Sequence, residues 1–479
     1  MSDWLVFWRL TRALRLLVFS QFAFNVGFYL VVPFLAAYLQ HDLRLGGALI
    51  GIILGVRTFS QQGLFFLGGA LADRFGIKPI VLLGVATRIA GFLVLALTQQ
   101  LSLVILGVVL IGLAAALFSP ASESGIAGLA GCLELEGGPR RTQTLSLQFV
   151  FSQAGSAVGP ALGGVMLFIP FQVTCLIAAG IFGLIGLAHA LWLPSGLRVG
   201  TPSPTRSSLA AVLRNRGFLA FAALNCVMLL AYNQLYLALP VEIMRSGEPA
   251  TSITWYFLLA SLVVVIGQSW VTRRVEALAE RHLYPLGFAV TGAAFLLIAA
   301  VAWAPAPGGL LGALPIIGFV LLVQLGSMIV GPRTRHTVAV LAHEQNLGAH
   351  FGVMASVGGL AVLLASGPIG ALLEGASTPS LGASAPWLVL AVPPLLAAAL
   401  ARPVLAKVRQ TRLAETPPHM PQEGSTHPAT RPPGPPARSG TQLAALVPDR
   451  SPAQQPIPDG AKLANASPPI ENGSQYAYR

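Results

Sequence analysis

Two arginines stand inside otherwise apolar stretches: Arg57 in Leu54-Gly55-Val56-Arg57-Thr58-Phe59-Ser60-Gln61-Gln62-Gly63, and Arg88 in Thr87-Arg88-Ile89-Ala90-Gly91. An arginine at the centre of a membrane span costs about 2.5–3.5 kcal/mol on insertion scales, so it faces protein or a wet cavity. Two roles fit: contact with a substrate or counter-ion, or a hydrogen-bonded anchor between helices. Ser60 and Gln61 follow Arg57 at helical spacing and share its face, while Thr58 and Gln62 widen the polar stripe. Gln21, Asn25 and Tyr29 are spaced four apart and form a second polar face. Asn225, Tyr232, Asn233 and Tyr236 form a third, interrupted by Leu229. Each face is expected to line a cavity or a helix–helix contact.

Coupling to a proton needs a group that titrates inside the membrane. The candidate acids are Glu123, Asp73 and Glu374, and the first apolar run contains no acid. Glu123 is the first choice, with a charge reaching to the membrane interface as the plain alternative. His189 is a second titratable candidate for which a structural role is favoured. Enzymatic readings find no support: there is no G-x-S-x-G, no Gly-rich phosphate loop and no H-E-x-x-H. His336, His343 and His350 recur every seven residues beside Glu344, but they straddle a predicted loop without a cysteine partner, so no metal is expected.

These residues must be held by membrane helices. Of the 479 residues, 54% are hydrophobic and 10% charged, against about 25% charged in a soluble chain. Runs of spanning length recur through the first 400 positions. They are placed at 16–40, 47–69, 78–98, 101–123, 143–168 and 171–193, then at 217–240, 251–271, 284–304, 309–331, 347–373 and 383–401. In lipid such segments must be helices, because every backbone group has to be satisfied within the segment. The fold class is therefore all-α and polytopic. A basic linker at 194–216 separates an N-terminal six-helix bundle (1–193) from a C-terminal one (217–402). Residues 403–479, rich in Pro and Gly as in Arg431-Pro432-Pro433-Gly434-Pro435-Pro436, are expected to be a disordered cytoplasmic tail. No cleavable leader is read at the N-terminus.

The net charge of +12 resembles that of a nucleic-acid binder until it is sorted by side. With the N-terminus in the cytoplasm, twenty Lys and Arg of residues 1–412 fall on the cytoplasmic side and only Arg44 and Arg245 on the other, leaving aside Arg57 and Arg88. That bias is a topology signal rather than a nucleic-acid patch. Trp192, Trp255, Trp270, Trp303 and Trp387 fall near span ends, where interfacial rings are expected. Cys132, Cys175 and Cys226 form no metal spacing or disulfide framework.

Two motifs carry a resemblance. The turn Gly69-Ala70-Leu71-Ala72-Asp73-Arg74-Phe75-Gly76-Ile77-Lys78 packs acid, base, glycine and base between two spans. It is similar to the G-x-L-a-D-r-x-G-r-k signature of the major facilitator superfamily, with Ile77 where the family has a base. The run Gly155-Ser156-Ala157-Val158-Gly159-Pro160-Ala161-Leu162-Gly163-Gly164 resembles the G-x-x-x-G-P-x-x-G-G signature of that superfamily's drug:proton antiporters. Its glycines at 155, 159 and 163 share one helix face on which another backbone can pack, and Pro160 bends the helix. Residues 49–92 are closely similar to a bacterial multidrug-resistance group of the superfamily. Glycine–proline runs at Gly159-Pro160 and Gly367-Pro368 repeat at a similar distance in the two halves.

The resemblance implies two six-helix bundles that rock about a midplane site, and export of small amphipathic compounds in exchange for protons. The proton gradient would supply the energy, with no bound cofactor. It also implies a monomer in the bacterial inner membrane with both termini cytoplasmic. Gly69, Asp73, Arg74, Gly76 and Lys78 would form a gate, with Asp73 pairing with a helix N-terminus in the other half. Phe118-Ser119-Pro120-Ala121-Ser122 followed by Glu123 stands where the related group has F-D-P-P-R, and span 4 lacks the arginine that many of the antiporters carry. A metabolite or sugar exporter of the same fold shares nearly all these features. A non-transporting membrane sensor or scaffold would instead act through the tail.

Overall fold

The computed structural model describes residues 3–195, 212–342 and 347–415. Most of the expected linker and residues 416–479 of the expected tail lie outside the described residues. All regular structure within the described residues is helical. A short helix, Asp3–Arg9, precedes span 1, Arg12–His41. Span 2 is Gly47–Gln62 followed by Phe65–Phe75, span 3 Ile77–Leu97, span 4 Leu101–Leu135, span 5 Arg141–Met166 and span 6 Phe171–Trp192. Span 7 is Arg216–Leu237, followed by a short helix, Leu239–Arg245. Span 8 is Ser252–Val275, span 9 Glu280–Ala299, span 10 Leu310–Leu341, span 11 Leu347–Glu374 and span 12 Ala385–Glu415.

Eleven helices among the described residues are long and apolar enough to cross a membrane. Span 5 is the long helix outside that set. Its first half carries Gln143, Thr144, Ser146, Gln148, Ser152 and Gln153, so its length of 26 residues is helical but not apolar throughout. Such a helix belongs against protein, and span 5 packs on spans 1 and 8.

Several sequence boundaries move. Span 4 runs on to Leu135, so Pro120 and Glu123 lie inside the helix rather than at its end. Pro332 likewise lies within span 10. Span 12 continues to Glu415, so the expected tail begins with helix. The helical hydrogen bonds are satisfied within the segment, so Arg and Lys at a helix end need not stop it. Trp387 is the exception to the interfacial reading of tryptophan. It is only 1% exposed and stands edge-on to Phe319, whereas Trp192, Trp255, Trp270 and Trp303 are exposed.

Span 2 is broken at Gly63 and Leu64. The break frees the Gly63 carbonyl, which accepts a hydrogen bond from Ser356 Oγ of span 11 at 2.8 Å. A discontinuous helix is tolerated in a membrane where a neighbouring helix satisfies its backbone. Spans 2 and 11 pack along most of their length. A Cβ at Gly51 would run into the carbonyl of Ser366, and one at Gly47 or Gly370 into the backbone of the other. The second cross-half pair is span 5 with span 8, where Gly164 lies against Thr254 and Ser261 Oγ donates to the Ser156 carbonyl at 3.1 Å. Gly47, Gly164, Thr254 and Gly370 lie at the end of the bundle opposite the basic loops. The two halves are therefore closed together at that end.

Candidate functional site

A cavity of about 180 Å³ lies at the seam of the halves. Spans 1, 2, 3 and 4 line it from the first half and span 7 from the second. It collects Gln21, Asn25, Tyr29, Arg57, Gln61, Arg88 and Asn233, so seven of the sequence-selected residues share one wall system. Phe24, Phe28, Phe118, Tyr232 and Tyr236 supply its aromatic surface. A second cavity, of about 210 Å³, lies between spans 5, 8 and 10 and reaches Arg335 toward the basic end. Tyr29 and Tyr232 line both cavities, and their hydroxyls are hydrogen-bonded at 3.0 Å across the seam.

The polar stripes position one another. Gln21 Nε2 donates to Ser122 Oγ at 2.9 Å, tying span 1 to span 4. Asn25 Nδ2 donates to the Gln21 carbonyl at 2.8 Å and to Ser152 Oγ of span 5 at 3.1 Å. Arg57 Nη2 donates to Thr58 Oγ1 at 3.1 Å, and Thr58 Oγ1 donates to Asn233 Oδ1 at 3.0 Å. Asn233 Nδ2 in turn donates to Ser366 Oγ at 3.4 Å. This chain links span 2 to span 7 and span 11. Thr58 belongs to the polar stripe expected beside Arg57; Ser366 is the unexpected member, and nothing local signals it.

Both arginines are buried and stack on rings. The Arg57 guanidinium lies 5.2 Å from the Phe28 ring and 5.5 Å from that of Tyr236. The Arg88 guanidinium lies 5.8 Å from Phe28 and 5.2 Å from Phe182. Ring faces attract cations, most strongly where water is excluded.

Other selected residues lie elsewhere. Glu123 is not a lining residue of the central cavity. It is exposed, and Arg335 of span 10 is the charge that acts on it across the seam. His189 is fully buried; its Nδ1 meets the Ile185 carbonyl at 2.8 Å and its Nε2 meets Ser20 Oγ at 3.2 Å, a span 6 to span 1 anchor. His336 belongs to span 10 and His350 to span 11, while His343 and Glu344 lie outside the described residues. No group of metal-ligating side chains occurs among the described residues.

At the 2–3 turn, Gly76 has φ of +90°, a conformation that favours glycine. A Cβ at Gly69 would meet only Pro120, at ordinary contact distance, whereas Gly68 approaches the Ala116 carbonyl closely enough to exclude a Cβ. Ile77 is 1% exposed and packs against Gly125. A base there would be buried, which accounts for the departure from the family pattern. Lys78 Nζ donates to the Ala190 carbonyl at 2.9 Å, capping the C-terminal end of span 6. Arg74 lies over the Phe75 ring at 5.3 Å. The Asp73 side chain lies outside the described set. In span 5, Gly155, Gly159 and Gly163 face the backbone and side chains of span 1, and Pro160 is buried beside them.

Sequence reasoning passed over Glu242. It is 2% exposed and forms an ion pair of 2.6 Å with Arg245, whose Nη1 also donates to the Ala304 carbonyl. Burial raises the Glu242 carboxyl above the ordinary carboxylate range, and the hydrogen bonds and charge of Arg245 oppose that shift. The spacing of acid and base three residues apart on a helix was the available signal.

The all-α architecture, with its spanning helices around a central polar cavity, is that of a polytopic membrane protein. Residues 17–366 match the family model of the Major Facilitator Superfamily, and the chain belongs to that family. It is 34% identical over 378 residues to an uncharacterized MFS-type transporter of Mycobacterium tuberculosis, covering 78% of this chain and 88% of that one. It is 25% identical over 370 residues to the multidrug resistance protein MdtH of Shigella sonnei, covering 77% and 88%. The fold also matches a crystal structure of a peptide transporter POT, with a TM-score of 0.67 at 15% identity, over 86% of this chain and 99% of that one.

Proposed function

We propose that this protein exports small amphipathic compounds across the bacterial inner membrane, in exchange for protons, by alternating access. The observation that carries the reading is the central cavity, which is lined by both halves beside two cross-half pairs packed through glycines. Halves joined in this way can rock as bodies about a fixed site. The name multidrug resistance protein borne by one set of relatives supports the substrate class. The basic loops lie in the cytoplasm in this reading, so the described conformation is closed toward the outside. Small-molecule substrate and protons are the partners, and a monomer suffices because one chain supplies both bundles.

Glu123 is the coupling acid in this scheme. It is exposed within the bundle's basic half and lies under the charge of Arg335 from the opposite bundle. A carboxyl under the charge of a cation from the opposite half can load and release a proton as the distance between them changes. Asp73 latches the basic side when the bundles close there.

Dye and drug efflux from an efflux-deficient bacterium tests the reading. Expression of the wild type should lower dye accumulation, and a protonophore should abolish the difference. Glu123→Gln should leave the protein in the membrane but cost about tenfold or more in gradient-driven efflux. Unchanged accumulation with every dye tried would rule out drug export. Wild-type efflux by Glu123→Gln would remove that residue as the coupling acid. A sensor or scaffold would instead lose its effect on removal of residues 403–479.

A further inference from the structure

Among the described residues, the central cavity is lined by two cations and no acid. Arg57 is 5% exposed and Arg88 2%. Nη1 of Arg57 and both Nε and Nη1 of Arg88 are buried without a hydrogen-bond partner. Among the described residues lining the cavity there is no Asp or Glu. The charge that acts on Arg88 is that of Arg57, another cation. Guanidinium groups stay ionised in proteins. Burying two of them without an opposite charge is unfavourable, and their mutual repulsion adds to the penalty. The aromatic rings offset part of it. Phe28 serves both arginines, at 5.2 and 5.8 Å, but a ring face does not satisfy the N–H donors, which stay unpaired. The donor edges therefore lack the acceptor that they are built to meet.

We propose that Arg57 and Arg88 form the head-group site for an organic anion. A carboxylate or sulfonate lies between the two guanidiniums and accepts charge-assisted hydrogen bonds from their unpartnered N–H groups. The apolar body of the same molecule lies against Phe24, Phe118, Tyr232 and Tyr236, all lining residues. The Arg57–Thr58–Asn233–Ser366 chain holds one of the two forks in place. The site thus selects amphipathic anions over the lipophilic cations that its aromatic rings alone would attract. This assignment rests on the reading of the cavity as a transport site. An inorganic anion offers the same charge, so the test must separate it from an organic one.

The test uses the purified full-length protein and calorimetric titration with 1-naphthoate, its neutral analogue 1-naphthamide, the cation 1-naphthylmethylammonium, and chloride. The expected order is naphthoate first, the amide weaker by about tenfold or more, and the ammonium weakest. Arg57→Gln and Arg88→Gln should each weaken naphthoate by about tenfold or more and leave the amide within about twofold. The inference is overturned if the amide or the ammonium binds as tightly as naphthoate, or if naphthoate gives no saturable heat. It is also overturned if chloride fills the site and naphthoate cannot displace it. The wild-type ranking decides the matter even where an arginine variant does not fold. Efflux of cationic dyes without a preference for naphthoate would defeat the anion site while leaving export intact. Naphthoate binding without efflux of any probe would defeat export and leave the site.

Discussion

The Thr58 hydroxyl accepts from Arg57 and donates to Asn233, so a short side chain decides how a buried arginine is aimed. Thr58→Val keeps the shape and removes both bonds. Interhelical hydrogen bonds in membranes average well under 1 kcal/mol, so the expected loss of stability is about 1 kcal/mol, read as a lower unfolding midpoint. Substrate affinity should fall further than stability, because the Arg57 fork loses its orientation. A variant with wild-type affinity would show that Thr58 does not aim it. The Glu242–Arg245 pair belongs to a different regime. Arg245→Ala leaves a buried carboxylate unpaired, and breaking such a pair costs about 3–5 kcal/mol. The variant should unfold at markedly lower temperature, whereas Glu242→Leu with Arg245→Met should recover most of the loss. At this scale the sequence identified Arg57 and Arg88 correctly as protein-facing, because lipid exposure of an arginine is too costly. It could not name Ser366 as part of their support, since Asn233 and Ser366 are 133 residues apart.

Among the elements, span 2 and span 11 matter most to the seam. Gly51 meets the Ser366 carbonyl so closely that any side chain must push the helices apart. Gly51→Val should cost about 1–3 kcal/mol by overpacking. It should also bias the protein away from the conformation closed at the end opposite the basic loops. Protection of a cysteine introduced at Ala48 from an aqueous maleimide reads that bias, and unchanged protection would refute it. Ser356→Ala orphans the Gly63 carbonyl at the break in span 2 and tests whether the break is held from across the seam. Glycine spacing was legible in span 5, where period four marks one face. The break in span 2 was not legible, because Gly63 has ordinary helical backbone angles and the partner that stabilises it lies in another helix.

At the scale of the whole molecule, a native cysteine tests the orientation. Cys132 is exposed near the basic end of span 4, while Cys175 is buried. An impermeant maleimide should leave the wild type unlabelled in intact cells and label it in inverted vesicles, with Cys132→Ser removing the signal. Labelling of Cys132 in intact cells would invert the proposed topology. The chain alone determined the class of fold, because helices are the only structure a segment of such composition can adopt in lipid. Period and charge asymmetry then placed the polar faces and the basic loops, both being properties of contiguous residues. Tertiary structure decided which of those faces meet, and so made one cavity from five helices. It also decided that Ile77 must be apolar and that Trp387 is core. Most consequentially, it placed Arg57 and Arg88 on one cavity with no acid among the described lining residues, a property of the space between helices that no single segment encodes.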